Sequence, residues 1–144
     1  MRRTPDDETL LALARTVMGI STGAADRLGG ISVVQLRALT VLRELGTATL
    51  GELAVGMGVT VSTASRLVDR LVTGGLVRRE LSPRSRRELA LRVAPDGDAV
   101  LDRYDDDRLE ALRTALGRLP EGDRAAALAA FAAFSGAFET AAAG

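Results

Sequence analysis

Apolar positions recur at helical spacing along most of the chain, and the runs break at glycines and prolines. Thr4-Pro5 followed by Asp6, Asp7 and Glu8 has the make-up of a helix N-terminus: a hydroxyl cap, proline at the first helical position, and carboxylates where the helix dipole favours them. From there Leu10, Leu13, Ala14, Val17, Ser21, Ala24, Ala25 and Leu28 hold one stripe, with Leu11, Met18 and Ile20 outside it, until Gly29-Gly30. That extra apolar width predicts two partners for this helix, its own core and another subunit. Ser32 to Gln35 is an S-x-x-Q capping box. It opens a second helix over 32–45, apolar through Val34, Leu36, Leu39, Val41, Leu42 and Leu45 and therefore central, and Gly46 ends it. Thr49 to Glu52 is a second capping box, opening about two turns with Leu50, Leu53, Ala54 and Met57 on one side.

The pattern then changes. Thr60 is placed to cap a helix over 61–73, on which Val61, Ala64, Ser65, Val68, Leu71 and Val72 fall in one arc and Ser62, Thr63, Arg66, Asp69, Arg70 and Thr73 in the other. The first arc is predicted core and the second exposed. Gly74-Gly75 stops the helix. Two short strands follow, Leu76–Leu81 and Glu88–Val93, the second alternating Leu89, Leu91 and Val93 inward against Glu88, Ala90 and Arg92 outward. SPRSRR, residues 82–87, forms the hairpin tip. A short helix, a turn containing Gly56 and Gly58, and a second helix with a polar outer face make a helix-turn-helix, and the hairpin makes its wing. Gly56-x-Gly58 is not a phosphate loop, because no strand precedes it and neither a third glycine nor a lysine follows.

Pro95, with Asp96 and Asp98 behind it, opens another helix to about Gly117. Within it Asp102, Asp105 and Asp106 share a face; this reads as an acidic surface, solvated or paired with arginines elsewhere, in preference to a hard-metal site. Tyr104, the lone tyrosine, is expected to pack. After Leu119-Pro120-Glu121-Gly122-Asp123 comes a last helix, nearly all alanine with Leu128, Phe131, Phe134, Ser135 and Phe138. Every phenylalanine of the chain lies here, where the predicted role is to anchor a subunit interface against the partner's N-terminal helix. The expected fold is mainly α: a winged helix-turn-helix with a two-stranded wing, plus N- and C-terminal helices forming a dimerisation region. The expected division is 1–30, an N-terminal dimerisation helix; 31–94, a winged helix-turn-helix lobe; and 95–144, C-terminal dimerisation helices.

Charge changes the picture more than composition does. The 144 residues are 47% hydrophobic and carry no net charge. Residues 60–93, however, hold eight arginines against Asp69, Glu80 and Glu88, a balance of +5, so the remainder carries −5. A basic patch on an acidic body suits nucleic acid. The chain has no Cys, His or Lys. This rules out thiol chemistry, Cys/His metal centres and histidine bases, and no nucleophile elbow or carboxylate pair is visible, so neither an enzyme nor a cofactor is expected. Met1-Arg2-Arg3 begins like a twin-arginine signal, but Asp6, Asp7, Glu8 and Arg15 interrupt any apolar run; no signal peptide or membrane span fits, and a cytoplasmic location is expected.

The outward face of the 61–73 helix carries short hydroxyls near its N-terminus and arginines one and two turns later. Hydroxyls there let the backbone approach DNA closely, the dipole favours phosphate, and Arg can bind guanine O6 and N7 bidentately. The candidate DNA-binding residues are Thr60, Ser62, Thr63, Ser65, Arg66 and Arg70 on the helix and Arg84, Arg86 and Arg87 on the wing.

Taken in order, ISVVQLRALTVL, TLGELAVGMGVTVSTASRLVDRLVTGGLVRRE and SPRSRRELALRVAPDG resemble the MarR family of winged-helix transcriptional regulators. The resemblance covers residues 31–97. It implies a homodimer whose recognition helices enter successive major grooves of a pseudo-palindromic double-stranded DNA operator, with Ser62, Thr63, Ser65 and Arg66 reading bases. It also implies a wing at the flanking minor groove, the family's wing arginine corresponding to Arg87. It further implies control by a small-molecule effector, in this family often an aromatic or phenolic anion held between the dimerisation helices and the lobe; Arg15, Arg27, Arg37 and Arg43 are candidates to line such a pocket. Three departures stand out. Ser85 occupies the position where the family's D-x-R motif has Asp, Ser82 replaces a common acidic residue, and Ala94 replaces the Thr before Pro95. The expected consequences are a less rigid, more positive wing and stronger, less discriminating backbone binding. The competing reading is a winged-helix module that binds protein, or DNA without sequence preference.

Overall fold

The computed structural model describes residues 2–142; Met1, and residues 143–144 at the end of the expected C-terminal segment, lie outside the described residues. Six helices and one hairpin follow in order: α1 (Pro5–Leu28), α2 (Val33–Leu45), α3 (Leu50–Met57), α4 (Val61–Thr73), β1 (Val77–Leu81), β2 (Leu89–Val93), α5 (Pro95–Gly117) and α6 (Glu121–Ala142). The chain divides into two compact units, Met1–Arg108 and Leu109–Gly144.

The helix starts are set by hydroxyl caps. Thr4, Ser32 and Thr49 each accept the N3 amide while the N3 side chain, Asp7, Gln35 or Glu52, bonds back to the cap backbone. The backbone N–H of Thr4 donating to Asp7 holds that carboxyl below the usual carboxylate range. At the other end of the helix-turn-helix both stops are glycine motifs. Gly58 is left-handed (φ 67°), with its own N–H and that of Val59 returning to Val55 and Ala54. After α4 the left-handed residue is Gly75 (φ 74°) and Gly74 stays right-handed, so of the two expected stop glycines the second makes the turn. Gly75 N–H donates to the Val72 carbonyl at 3.0 Å and Leu76 N–H to Leu71 at 2.9 Å, turning the chain directly into β1.

The core of the first unit is built on α2, whose Leu36, Leu39 and Leu42 are fully buried with Leu53, Val68, Leu71 and Leu101. Ala38 joins them, while Val34 and Leu45, expected in that stripe, lie exposed at the ends of the helix. Gly56 brings α3 against α2: a Cβ there would lie 2.9 Å from Val41 Cγ1. Of α1 only the C-terminal part packs inward, through Ala24 and Ala25, and Leu10, Leu13, Val17 and Met18 stay exposed. Tyr104 is buried, with the Arg108 guanidinium 4.1 Å from its ring centroid, so it packs as expected.

β1 and β2 pair antiparallel from Val77↔Val93 to Leu81↔Leu89, and Ala48 bridges the far edge of β2 at Leu91. The expected alternation holds at Leu91, buried, Arg92, exposed, and Val93, half-buried, and fails at the outer end of β2. Ala90, predicted outward, is buried beside Thr47–Thr49, Ser82 and Pro83, whereas Leu89, predicted inward, lies beyond the body and is 57% exposed. Within the second unit, none of the described residues is buried. Arg124 closes the end of α5, donating from Nη2 to the Gly117 carbonyl (2.9 Å) and from Nε to Leu119 (3.2 Å).

Candidate nucleic-acid interface

Helix α4 is capped by Thr60, whose Oγ1 accepts from Thr63 N (3.2 Å) and donates to Thr63 Oγ1 (3.0 Å). The Thr60 hydroxyl is therefore committed to its helix; Thr63 keeps its own proton to donate. The N–H groups of Val61 and Ser62 lie in the first turn, where no helical carbonyl can reach them, and have no partner among the described residues. Ala64, Leu67, Val68 and Leu71 hold the opposite face in the core.

Ser62, Arg66 and Arg70 are exposed, and Thr63 and Ser65 are half-buried at the margins. Val61, expected in the core arc, is 54% exposed because the first turn projects past the packed segment that begins at Ala64. Leu67, absent from the expected core arc, is buried.

The wing is tied to α4 and α3. Arg79 Nη2 donates to Asp69 Oδ1, joining β1 to α4, and Arg84 reaches Glu52 Oε1 at 3.7 Å. Neither pairing was expected, because neither partner is close in sequence to a motif that names it.

The two serines that replace carboxylates do part of their work. Ser82 Oγ accepts from Arg84 N (3.2 Å) and Ser85 Oγ from Arg87 N (3.3 Å), both local side-chain turns, and Ser82 N donates to Glu88 O at 2.8 Å. Hydroxyls thus make local backbone bonds at the tip. The Arg87 guanidinium has no carboxylate. Among the described residues Arg66, Arg70, Arg86 and Arg87 make no ion pair, so their charge faces solvent.

Three of the four aspartates in the acidic run of α5 are paired, and Asp106 makes no ion pair among the described residues. Arg43 donates to Asp102 (3.0 Å) and Asp105 (2.6 Å), Arg108 to Asp105, and Arg27 to Asp107 (3.1 Å). Burial pushes the Asp105 carboxyl up, but hydrogen bonds from Arg108 and Arg43 outweigh it and hold the group below its ordinary range. Burial likewise opposes the Arg43 charge and is outweighed by the two aspartates, which leave it above its usual value. Two of the four arginines expected near an effector are thus engaged in ion pairs. No cluster of potential metal ligands occurs among the described residues, and no described helix is long and apolar enough to cross a membrane.

Residues 29–88 match the family model MarR_2, described as the MarR family. Over 83 residues, 58% of this chain, the sequence is 35% identical to an uncharacterized HTH-type transcriptional regulator of Bacillus subtilis, YsmB, and the match spans 57% of that relative's length. The crystal structure of RV1404 from Mycobacterium tuberculosis superposes with a TM-score of 0.82 at 28% identity, covering 95% of this chain and 96% of that one. A MarR family protein from Bacillus stearothermophilus shares the fold at a TM-score of 0.83, 22% identical, covering 92% of each chain. With the capped helix pair, helix α4 and the hairpin in the same order, residues 29–88 are similar to the MarR family, and the chain shares the fold of its solved members.

Proposed function

We propose that the protein is a transcriptional regulator that binds double-stranded DNA sequence-specifically as a homodimer, acting in the cytoplasm as a repressor on a pseudo-palindromic operator. The observation that carries this reading is the outward strip of α4. It combines exposed Ser62 and Arg66 with two open backbone N–H groups at the positive end of the helix dipole. The unpaired Arg86 and Arg87 stand at the tip of the attached wing. Ser62, Thr63, Ser65 and Arg66 read base edges, Arg70 and the wing arginines Arg84, Arg86 and Arg87 meet phosphate or the minor groove, and Thr60 contributes through the helix cap.

The exposed apolar residues of α1 and the phenylalanines of α6 support association of two copies through these helices. A small molecule releases the DNA by binding one spacing of the two recognition helices more tightly than the other, since only differential affinity shifts the equilibrium. Arg15 and Arg37, which make no ion pair among the described residues, remain open to an anionic effector.

The test is selection of random duplex DNA by the purified protein at about physiological salt, followed by sequencing. Enrichment of a pseudo-palindrome with half-sites about one helical turn apart is the expected result. Absence of enrichment, with binding that vanishes steeply as salt rises, would replace this reading with charge-driven contact alone.

A further inference from the structure

Alternation in β1 and β2 puts Val77, Arg79 and Leu81 on one face of the hairpin, opposite Val93, Leu91 and Leu89. At the inner end of this face Val77 and Leu91 are buried in the core. In the middle Arg79 is bonded to Asp69 of α4. Two residues further out, about 7 Å along the strand, the face ends in a directly opposed pair, Leu81 and Leu89, 67% and 57% exposed. Beyond it lies the tip, residues 82–88, with Arg84, Arg86 and Arg87 against the single carboxylate of Glu88.

The direction of this face is fixed by the Arg79–Asp69 bond. On α4, Ser62, Arg66, Asp69 and Thr73 fall within about 60° of one another around the helix axis, so the sheet face that carries Arg79 opens on the same side as the strip proposed to enter the major groove. The leucine pair therefore continues that strip along the wing.

We infer that Leu81 and Leu89 are a DNA-contacting element of the wing, packing as an apolar wedge against the deoxyribose walls of the minor groove while the tip arginines meet the phosphates beside it. This rests on the DNA-binding reading above. Three observations favour this occupant over a protein partner. The pair is continuous with the recognition strip through Asp69 and Arg79. It is framed by arginines with no counter-charge at Arg86 and Arg87. Two side chains fall far short of the roughly 800 Å² per partner that a stable protein interface buries, whereas minor-groove proteins use apolar side chains, leucine among them, as wedges at base steps.

The test compares the full-length protein with Leu81→Asn/Leu89→Asn and with Arg84→Ala/Arg86→Ala, by fluorescence anisotropy on the duplex chosen by selection, across a series of salt concentrations. Apolar packing releases no counterions. The leucine variant is expected to bind about tenfold more weakly at every salt concentration with an unchanged slope of log affinity against log salt, while the arginine variant flattens the slope. In a second arm, diaminopurine replaces adenine in the flanking segment, adding an amino group to the minor-groove floor. This should weaken the parent protein by a larger factor than the leucine variant, whose tip arginines still meet the groove. Equal affinity of parent and leucine variant, or equal sensitivity to diaminopurine, overturns the inference; so does a changed molecular mass of the variant, which would assign the pair to contacts between copies. Melting temperatures of both variants check that the fold is retained. If the parent binds no duplex, the regulatory reading itself fails, and the two failures are told apart by that control.

Discussion

At Gly97, in the first turn of α5, a Cβ would lie 2.3 Å from the Leu76 carbonyl oxygen and 2.8 Å from Val93 Cγ1. That carbonyl already accepts from Ala94 N at 2.9 Å, locking the end of the wing to the start of the helix. Helix propensity alone would make Gly97→Ala a gain of roughly 1 kcal/mol. The contact reverses the sign, and a loss of about 1–3 kcal/mol is expected from overpacking, read as a lower urea midpoint. Three residues earlier the opposite change is available. Ala94 O accepts the first helical bond of α5, from Asp98 N at 3.0 Å, but its side chain cannot cap. Ala94→Ser should stabilise by about 0.5–2 kcal/mol, seen as a higher melting temperature. On the recognition helix, Arg66→Ala should cost roughly 1–3 kcal/mol of DNA binding and relax preference at one base of each half-site. A uniform loss over all sequences would make Arg66 a phosphate contact instead. Capping residues were readable here because a cap acts within four residues; the constraint on Gly97 was not, because the atom it would strike belongs to Leu76.

The wing shows how an element can be located and oriented correctly and still be misjudged at one end. Its strands fall within one residue of the positions that alternation predicts, and its tip is the SPRSRR segment. Leu89 and Ala90 nevertheless exchange roles, since the segment that covers Ala90, around Ala48, lies some forty residues away in sequence and pairs with β2 only in the folded lobe. The serine substitutions divide along similar lines. Hydroxyls make local backbone bonds at the tip, but only a carboxylate would neutralise Arg87, so the tip keeps its charge. If Arg84 and Arg86 each release a counterion on binding, Arg84→Ala/Arg86→Ala should reduce the slope of log affinity against log salt by about 2. An unchanged slope would remove both side chains from the phosphate contacts.

Across the molecule the acidic run of α5 acts as the counterpart of arginines on α1 and α2. Arg27, Arg43 and their aspartates are 59 to 80 residues apart in sequence, and join the first half of α5 to the lobe. Asp105 is held below its ordinary range in the folded chain, so it binds fewer protons there than when unfolded. Its contribution to stability is therefore fully present above the unfolded carboxylate pKa of about 3.9 and is lost as pH falls through the lower folded value. Denaturation midpoints measured from pH 7 to pH 3 should fall in the parent chain and fall less in Asp105→Asn, which starts lower. If the exposed phenylalanines of α6 anchor the proposed homodimer, Phe131→Ser/Phe134→Ser should shift the sedimenting species from dimer to monomer while leaving helix content largely intact. A dimer of undiminished affinity would move the interface elsewhere.

Local physics settles much of this chain from its residues alone. The four hydroxyl caps, the glycine stops and the 3.6-residue periodicity act over a few positions, so the order and bounds of the helices, the helix-turn-helix and the hairpin were all legible. The charge asymmetry around residues 60–93 was equally plain. Burial, by contrast, depends on what arrives from elsewhere in the chain. Folding alone determined that Val61 lies outside the core and Leu67 within it, and that Ala90 is covered and Leu89 left bare. It likewise committed Arg27 and Arg43 to aspartates and left Arg86 and Arg87 without them. Periodicity names the face of an element; only packing in three dimensions decides how far along that face the protein's interior extends.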